Sequence, residues 1–227
     1  METLIAEDLL LLLLDDESGK LAASDKIRPL LGGALLIELA LAERIEVVAR
    51  TSVWSTSKVT VHPGPPLDEP LLDMAVSTIA EKPRGAQDLV NRLGKGTKDV
   101  LLARLTERGL VHPVKGKVFG LFPHTTWPAS DRLHEAGVRE KLQAALVLGL
   151  TPDERTSALV ALLSAVDHAH KVVDRGDLPA GEVRRRARHI ADGAWAATAV
   201  KDAVAAAQAA MTAAIVATSV AATAGGS

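Results

Sequence analysis

The hydrophobic and polar positions at the start of the chain form two apolar blocks that are separated by a polar turn. The first block contains six consecutive leucines at residues 9–14 between acidic pairs, which predicts a helix over residues 6–14. A turn at residues 15–20 follows, and a Gly-Gly step then opens a second apolar helix over residues 33–42. Because both helices are apolar on nearly every side, we expect them to pack together at the centre of the core.

Alternation of apolar and polar residues indicates a β-hairpin after the second helix. Residues 44–50 and 58–64 read as strands, and the polar segment 51–57 between them contains Trp54. Little core is available to cover this segment. We therefore predict that Trp54 is exposed or lies at a contact with another protein.

The rest of the chain reads as helices with one further pair of short strands around a turn at residues 114–117. The predicted helices cover residues 71–81, 86–93, 97–108, 129–148, 151–173, 178–198 and 200–224, with Thr151 as the N-cap of the fifth. Two helices followed by a two-stranded wing give a winged-helix-like segment. We predict a mainly α fold, a single globular helical domain over residues 1–224 with small β-hairpins and a disordered tail at 225–227.

Composition narrows the chemistry that the chain can support. Only five of 227 residues are aromatic, so leucine, valine, isoleucine and alanine must build the core, and helices of this kind pack closely. The absence of cysteine excludes disulfides, zinc-thiolate sites and thiol nucleophiles, and it favours a cytoplasmic, reducing location. Neither the leucine run nor the alanine-rich C-terminal helix reads as a membrane span, so we expect any membrane contact to be peripheral.

Charge is unevenly distributed although the formal net charge is only −2. Residues 1–46 contain ten acidic and four basic residues, whereas residues 82–117 contain nine basic and three acidic residues. A local site for an anion is therefore compatible with the nearly neutral whole. The cluster of four arginines at residues 184–188 is a weaker second candidate, because charged clusters are often only solvated helix faces.

The motif GKGTK at residues 94–98 is the strongest candidate for an anion site. Gly94 and Gly96 allow a tight turn with exposed N–H groups at a helix start, and Lys95 and Lys98 add positive charge one helical turn apart. This combination suits a phosphate, although the spacing of a P-loop is missing.

Other kinds of site find little support in the sequence. His168 and His170 are two residues apart on a predicted helix and face different directions, so they do not form a chelating pair. Neither a Ser-His-Asp arrangement nor a dinucleotide-binding fingerprint is present. We therefore predict a protein without catalytic residues, metal or cofactor.

Three motifs together resemble the Golgi phosphoprotein 3 (GPP34) family. They are the acidic-leucine opening at residues 7–19, the pattern G-x-L-L-x-E-L-x-L-x-x-R-I at residues 33–45, and L-x-x-x-L-x-x-x-G-L at residues 101–110. The resemblance covers about residues 4–175. Eukaryotic members of this family are peripheral membrane adaptors that bind phosphatidylinositol 4-phosphate, and the residue composition suggests that this chain is a bacterial member.

The resemblance assigns residues to the headgroup site. It places the two basic residues of the family's lipid pocket on Lys95 and Lys98, and it places Ala23 and Gly32 where the family has a pocket Trp and Arg. Arg28 or Lys26 can supply positive charge from the loop before the second predicted helix. The resemblance thus implies a non-catalytic peripheral membrane protein that binds anionic phospholipid headgroups of the phosphoinositide type.

The resemblance also implies self-association or membrane contact through the hairpin that contains Trp54, so a homo-oligomer is a further expectation. Two alternatives remain open at this point. A protein-interaction scaffold would use the hairpin and the alanine-rich helix. A winged-helix nucleic-acid-binding protein would use residues 97–108 as its recognition helix, which Asp99 and Glu107 make less favourable.

Overall fold

A computed structural model of the chain describes residues 3–48, 57–118, 122–130, 133–193 and 201–224. Within these ranges the helices are α1 (Ile5–Leu13), α2 (Ile27–Leu41), α3 (Pro70–Ala80), α4 (Ala86–Leu93), α5 (Thr97–Glu107), α6 (Leu133–Leu146), α7 (Glu154–Ala165), α8 (Ala180–Asp192) and α9 (Lys201–Ala224). The strands are β1 (Ile45–Val48), β2 (Lys58–Val61), β3 (Val114–Val118) and β4 (Phe122–Thr126). This confirms the predicted mainly α fold class with two small antiparallel hairpins.

Contacts between residues divide the chain into two compact units, each made from two segments. Unit 1 contains Met1–Ser24 and Lys98–Ala191, and unit 2 contains Asp25–Thr97 and Asp192–Ser227. Helices α1 and α2, which were expected to share one core, therefore belong to different units. The assignment of residues 1–224 to one domain stays a prediction.

Unit 1 is built around α1, in which all nine residues are buried. This helix packs against α6 and α7. Fully burying one of its leucines stabilises the unit by about 1.5–3 kcal/mol. The turn after α1 closes on the segment after β4, because the N–H of Trp127 donates to the carbonyl oxygen of Gly19 at 3.1 Å.

Unit 2 is built around α2, which packs against α3, α4 and α9. Two glycines set how closely α2 and α4 approach each other. A Cβ atom on Gly32 would lie 1.9 Å from the carbonyl oxygen of Val90, and one on Gly94 would lie 1.9 Å from the carbonyl oxygen of Arg28. On the other side of α2, Gly33 lies against the side chain of Met211 in α9.

The first hairpin confirms the two predicted strands in shortened form. Strands β1 and β2 pair from Ile45 with Val61 to Val48 with Lys58, and the N–H of Val59 also donates to the carbonyl oxygen of Arg84 at 2.9 Å. Trp54 lies outside the described residues, so its predicted role in a membrane or partner contact stays a prediction.

Helix α2 begins at Ile27, six residues before the predicted start. Pro29 lies in the first turn, where its missing N–H costs nothing, so the helix can start before the Gly-Gly step rather than at it. The prediction that the two glycines open the helix was wrong, because they lie in its interior.

Helix α7 differs from the sequence prediction at both ends. Its N-cap is Asp153, whose carboxylate accepts a hydrogen bond from the N–H of Thr156 at 2.6 Å, and not the predicted Thr151. The helix ends at Ala165, eight residues early, and Asp167 just beyond it adopts a left-handed backbone with a φ of 54°. The segment with His168 and His170 is therefore not part of this helix.

The predicted turn at residues 114–117 lies inside β3, where Val114 pairs with Thr126. Helices α4 and α5 precede this hairpin in the predicted order, but the boundary between the two units falls at Thr97. The winged-helix-like segment is not confirmed.

None of the helices within the described ranges is both long and apolar enough to cross a membrane.

The close approach of α2 to α4 predicts a large difference between glycine positions. Gly32→Ala and Gly94→Ala should each lower the free energy of unfolding by about 1–3 kcal/mol, because the added methyl group meets a backbone carbonyl oxygen that cannot move alone. Gly137→Ala in α6 is the control, since its Cβ would have open space, and it should raise stability by about 0.5–1 kcal/mol. Urea unfolding of the three variants measures the effect, and equal stabilities would contradict the packing argument.

Candidate functional site

The predicted anion site lies at the turn between α4 and α5. Lys95 and Gly96 are exposed, and the N–H of Lys95 donates to the carbonyl oxygen of Arg92 at 3.1 Å. Gly96 has a φ of 78° with open space around it, so glycine is needed here for its backbone conformation alone. The turn therefore presents Lys95 to solvent on a defined backbone.

Gly94 does not expose its N–H as the sequence analysis expected. Its N–H donates to the carbonyl oxygen of Val90 at 3.1 Å, which ends α4. The residue is buried, and its lack of a side chain lets the backbone of Arg28 approach α4. The role of Gly94 is therefore to allow close packing of α2 on α4. Its N–H is not available to a phosphate at this turn.

Arg28 is brought to the same end of α4 by this packing. Its exposed guanidinium donates from Nε and Nη2 to the carbonyl oxygen of Asn91, at 3.0 and 2.9 Å. Both the backbone and the side chain of Arg28 therefore contact the last turn of α4 within unit 2. In the sequence, only the family resemblance connected Arg28 with this turn. The structure shows a direct contact, since the guanidinium of Arg28 binds the carbonyl oxygen of Asn91.

Lys98 follows the turn as the second residue of α5 and the first residue of unit 1. Its side chain is 40% exposed, and its Nζ lies 3.6 Å from Oδ1 of Asp99. The first N–H groups of a helix have no partners within the helix, which favours an anion at this end. The carboxylate of Asp99 already supplies a negative charge near this helix N-terminus, and it offsets part of the positive charge of Lys98.

The two positions where the resemblance places the family's pocket Trp and Arg differ in their surroundings. Gly32 is buried inside α2 against α4, so this position has no room for a side chain. Ala23 is half-buried in the turn before α2, with a left-handed backbone at a φ of 50°. Neither position offers a group that could contact a headgroup.

A second charged cluster, in unit 1, was missed by the sequence analysis. Glu7 is completely buried in α1, and its carboxylate accepts hydrogen bonds from Nε of Arg104 at 3.0 Å and from Nη1 of Arg108 at 3.1 Å. The N–H of Leu4 donates to the same carboxylate at 2.8 Å. Glu7 is therefore satisfied by two arginines about 100 residues away along the chain.

Asp8 is buried beside Glu7 and has partners on two other helices. Its Oδ1 lies 2.8 Å from Nε2 of His134 in α6, and its Oδ2 accepts from Nη2 of Arg155 in α7 at 2.9 Å. Arg155 also donates to the backbone carbonyl of Thr3. Two acids inside a helix that is otherwise apolar all round were the available signal, but the sequence analysis treated them only as a pair that flanks the leucine run.

The arginine cluster of α8 is occupied by carboxylates of unit 1. Arg184 binds Asp167 at 2.7 and 3.1 Å, and this pairing lowers the pKa of Asp167. Arg185 and Arg186 both bind Glu182, and their hydrogen bonds lower its pKa to about 2. These pairs reduce the capacity of the cluster to bind an added anion.

Histidines in this region do not form a metal site. Burial lowers the pKa of His170, and the nearby Arg184, whose Nη2 lies 3.1 Å from its Nε2, lowers it further. Burial also lowers the pKa of His168. Across the part of the chain that the structure describes, no group of three His, Cys, Asp or Glu side chains could hold a metal ion.

Comparison with known protein families gives a match over most of the chain. The family model described as Golgi phosphoprotein 3 (GPP34) matches residues 5–207, which is nearly the whole chain. No individual curated protein is detectably similar to the chain in a sequence search.

The buried carboxylate of Glu7 predicts a stability effect that is independent of any ligand. Glu7→Gln should lower the free energy of unfolding by about 3 kcal/mol, because it removes the buried negative charge that both Arg104 and Arg108 bind. Glu17→Gln on the exposed turn is the matched control and should change stability by less than about 0.5 kcal/mol. Thermal or urea unfolding compares the two, and a small effect of Glu7→Gln would contradict this role.

Proposed function

Because the chain belongs to the Golgi phosphoprotein 3 (GPP34) family, we propose that it is a non-catalytic peripheral membrane protein that binds anionic phospholipid headgroups. The observation that carries this proposal is the contact of Arg28 with the last turn of α4, directly before Lys95. This contact places two exposed cations, Arg28 and Lys95, at the same end of α4 in unit 2. The preferred ligand is a headgroup with a phosphate monoester, as in phosphatidylinositol 4-phosphate.

The geometry of unit 2 supports a phosphate contact made by side chains. The guanidinium of Arg28 uses Nε and Nη2 on Asn91, which fixes its plane and leaves its other edge directed away from that carbonyl. Arginine matches the oxygens of a phosphate with two parallel hydrogen bonds, and Lys95 adds a mobile point charge. In this proposal Gly96 shapes the turn and Gly94 holds it against Arg28.

Lys98 completes the proposed set through its place in the chain. It lies three residues after Lys95 in the first turn of α5, where the N–H groups favour an anion. The positions held by Ala23 and Gly32 contribute no side chain that could select one headgroup. We therefore propose recognition of phosphate-bearing headgroups as a class, on the cytoplasmic surface of a membrane, with the hairpin that contains Trp54 as the contact with the membrane or a second copy.

Binding to nucleic acid is less well supported because of the surface that α5 offers. Its buried face contains Leu101, Leu102 and Leu105, so these residues serve the core. Its exposed face includes Asp99 and Glu107, whose charges would repel phosphates in a groove. A helix that enters a groove of DNA needs basic and polar side chains on its exposed face.

A protein-interaction function is the second candidate, and one observation favours it. Leu148 and Leu150 follow α6 and are 67% and 59% exposed, on either side of Gly149 with its left-handed backbone. Exposed apolar patches mark contacts with other proteins, and these two leucines are candidates for such a patch.

The proposal predicts that removing two lysines weakens binding to vesicles. The double variant Lys95→Ala, Lys98→Ala should bind vesicles that contain phosphatidylinositol 4-phosphate about thirtyfold more weakly, since each lysine near an anionic surface contributes about 1 kcal/mol. Arg28→Gln should weaken binding further, and rising salt should reduce binding of the unchanged protein. Co-sedimentation with vesicles measures all of these.

A matched control separates the site from total charge. Lys82→Ala, Lys115→Ala removes the same charge from two exposed lysines of the same basic segment, one in each unit, and should bind as the unchanged protein does. Vesicles with phosphatidylserine at equal charge test the preference for a phosphate monoester. Unchanged binding by the Lys95, Lys98 variant, with circular dichroism showing a folded protein, would contradict the proposal and favour protein interaction, while a shift of duplex DNA at the same salt would favour nucleic acid.

A further inference from the structure

We propose that unit 1 contains a second anion site, a small cavity at the junction of α1, α6 and α7 that takes a phosphate group. The cavity has a volume of about 220 Å³. It is lined by residues of unit 1 only: Thr3, Asp8, Arg108, His134, Lys141 and Arg155 provide the polar wall, with Val138, Thr156 and Leu159 beside them. The proposal goes beyond the headgroup site and does not rest on it, since the two share no residue.

Helix periodicity explains why these side chains face one cavity. His134, Val138 and Lys141 are spaced by four and three residues on α6, so they share one face of the helix. Arg155 and Leu159 are spaced by four residues on α7, so they share one face of that helix. Helix α1 packs against both helices and contributes Asp8, which lies between His134 and Arg155.

Charge on the cavity wall favours an anion. Arg108, Lys141 and Arg155 are cations, and Asp8 is the one carboxylate among the lining residues that the structure describes. Two neighbouring acids offset part of this charge: Glu7 binds Arg108, and Asp153 lies 3.9 Å from Lys141. With these acids and with Arg104, which also binds Glu7, four cations face three carboxylates, so the cluster keeps a net positive charge.

Carboxylates of α1 hold two of the cations in place without closing the cavity to solvent. Asp8 is 3% exposed at its side chain, whereas Arg155 and Arg108 are 24% and 33% exposed. Arg108 donates to Glu7, and Arg155 donates to Asp8 and to the backbone carbonyl oxygen of Thr3. Their position is thus fixed before a ligand arrives, which lowers the entropy cost of binding.

Size and chemistry select a phosphate group over larger ligands. Pockets for drug-sized molecules are typically about 300–1,000 Å³, so this cavity suits one small group. Arginine side chains match phosphate oxygens, and Thr3 and Thr156 are further polar residues of the lining. Val138 and Leu159 offer an apolar side that would accommodate the carbon end of a monoester. The ligand is inorganic phosphate, a small phosphate monoester, or the monoester end of a phosphatidate lipid.

Calorimetric titration of the full chain with inorganic phosphate at constant ionic strength tests the site. Lys141→Gln is the main variant, because Lys141 is 64% exposed and its replacement does not disturb the buried carboxylates. It should weaken phosphate binding about fivefold, and Lys141→Glu should abolish it. Lys20→Gln removes an exposed lysine of the same unit outside the cavity and should bind phosphate as the unchanged protein does.

Four comparisons decide the result. No phosphate heat above that of chloride, or equal affinity in the Lys141 and Lys20 variants, would overturn the proposal. Unchanged phosphate affinity of the Lys95→Ala, Lys98→Ala variant supports a site separate from the headgroup site, and loss of affinity in that variant would overturn it. Given a Lys141-dependent site, weaker binding of Lys141→Gln to phosphatidate vesicles identifies a lipid as the source of the phosphate, and unchanged vesicle binding identifies a soluble ligand.

Discussion

The close contact between α2 and α4 is the constraint on which unit 2 depends. Carbonyl oxygens of Val90 and Arg28 occupy the space that a side chain at Gly32 or Gly94 would need. A chain with only five aromatic residues cannot fill wide gaps between helices, so it buries apolar surface by bringing helix backbones together. The same contact fixes the backbone of Arg28 at the end of α4. The location of the proposed headgroup site is therefore a consequence of core packing.

Unit 1 depends on a different constraint, because its central apolar helix α1 buries two charged carboxylates. Glu7 and Asp8 would each cost several kcal/mol in α1 without partners. Their partners come from α5 and the residue after it, from α6 and from α7, so the position of α1 is restricted to the one place where all of these groups meet. Leucine packing alone has no such directional preference. The charges thus specify the arrangement that the leucines stabilise.

Local sequence patterns predicted most elements of the fold, because apolar periodicity and glycine or proline boundaries are local properties. The bounds of α3, α4 and α5 agree with the predictions within one residue. Errors arose where distant contacts decide the outcome. The Gly-Gly step at residues 32–33 reads as a helix start, yet α4 and α9 cover it, and no short window of sequence contains that information.

The candidate site shows the same division between local and distant information. The exposure of Lys95 and the left-handed Gly96 follow from a local turn motif, whereas the burial of Gly94 and the contact of Arg28 with Asn91 depend on how α2 packs. The ion pairs of Glu7 join residues about 100 positions apart, so spacing could not reveal them. Whether Lys95 and Lys98 bind a headgroup stays a prediction.

Exposure distinguishes what the two proposed sites can do. Lys95 and Arg28 lie in solvent, so a ligand that meets them loses little hydration and its binding is screened by salt beyond about 8 Å. Weak, reversible contact with a charged surface suits such groups, and the net charge of −2 matters less than the few cations within that distance. Arg155 and Arg108 are partly buried and held by carboxylates, which strengthens their interactions and restricts their geometry. A restricted geometry selects a ligand by its shape, and a cavity of about 220 Å³ admits one phosphate group where an open surface admits many.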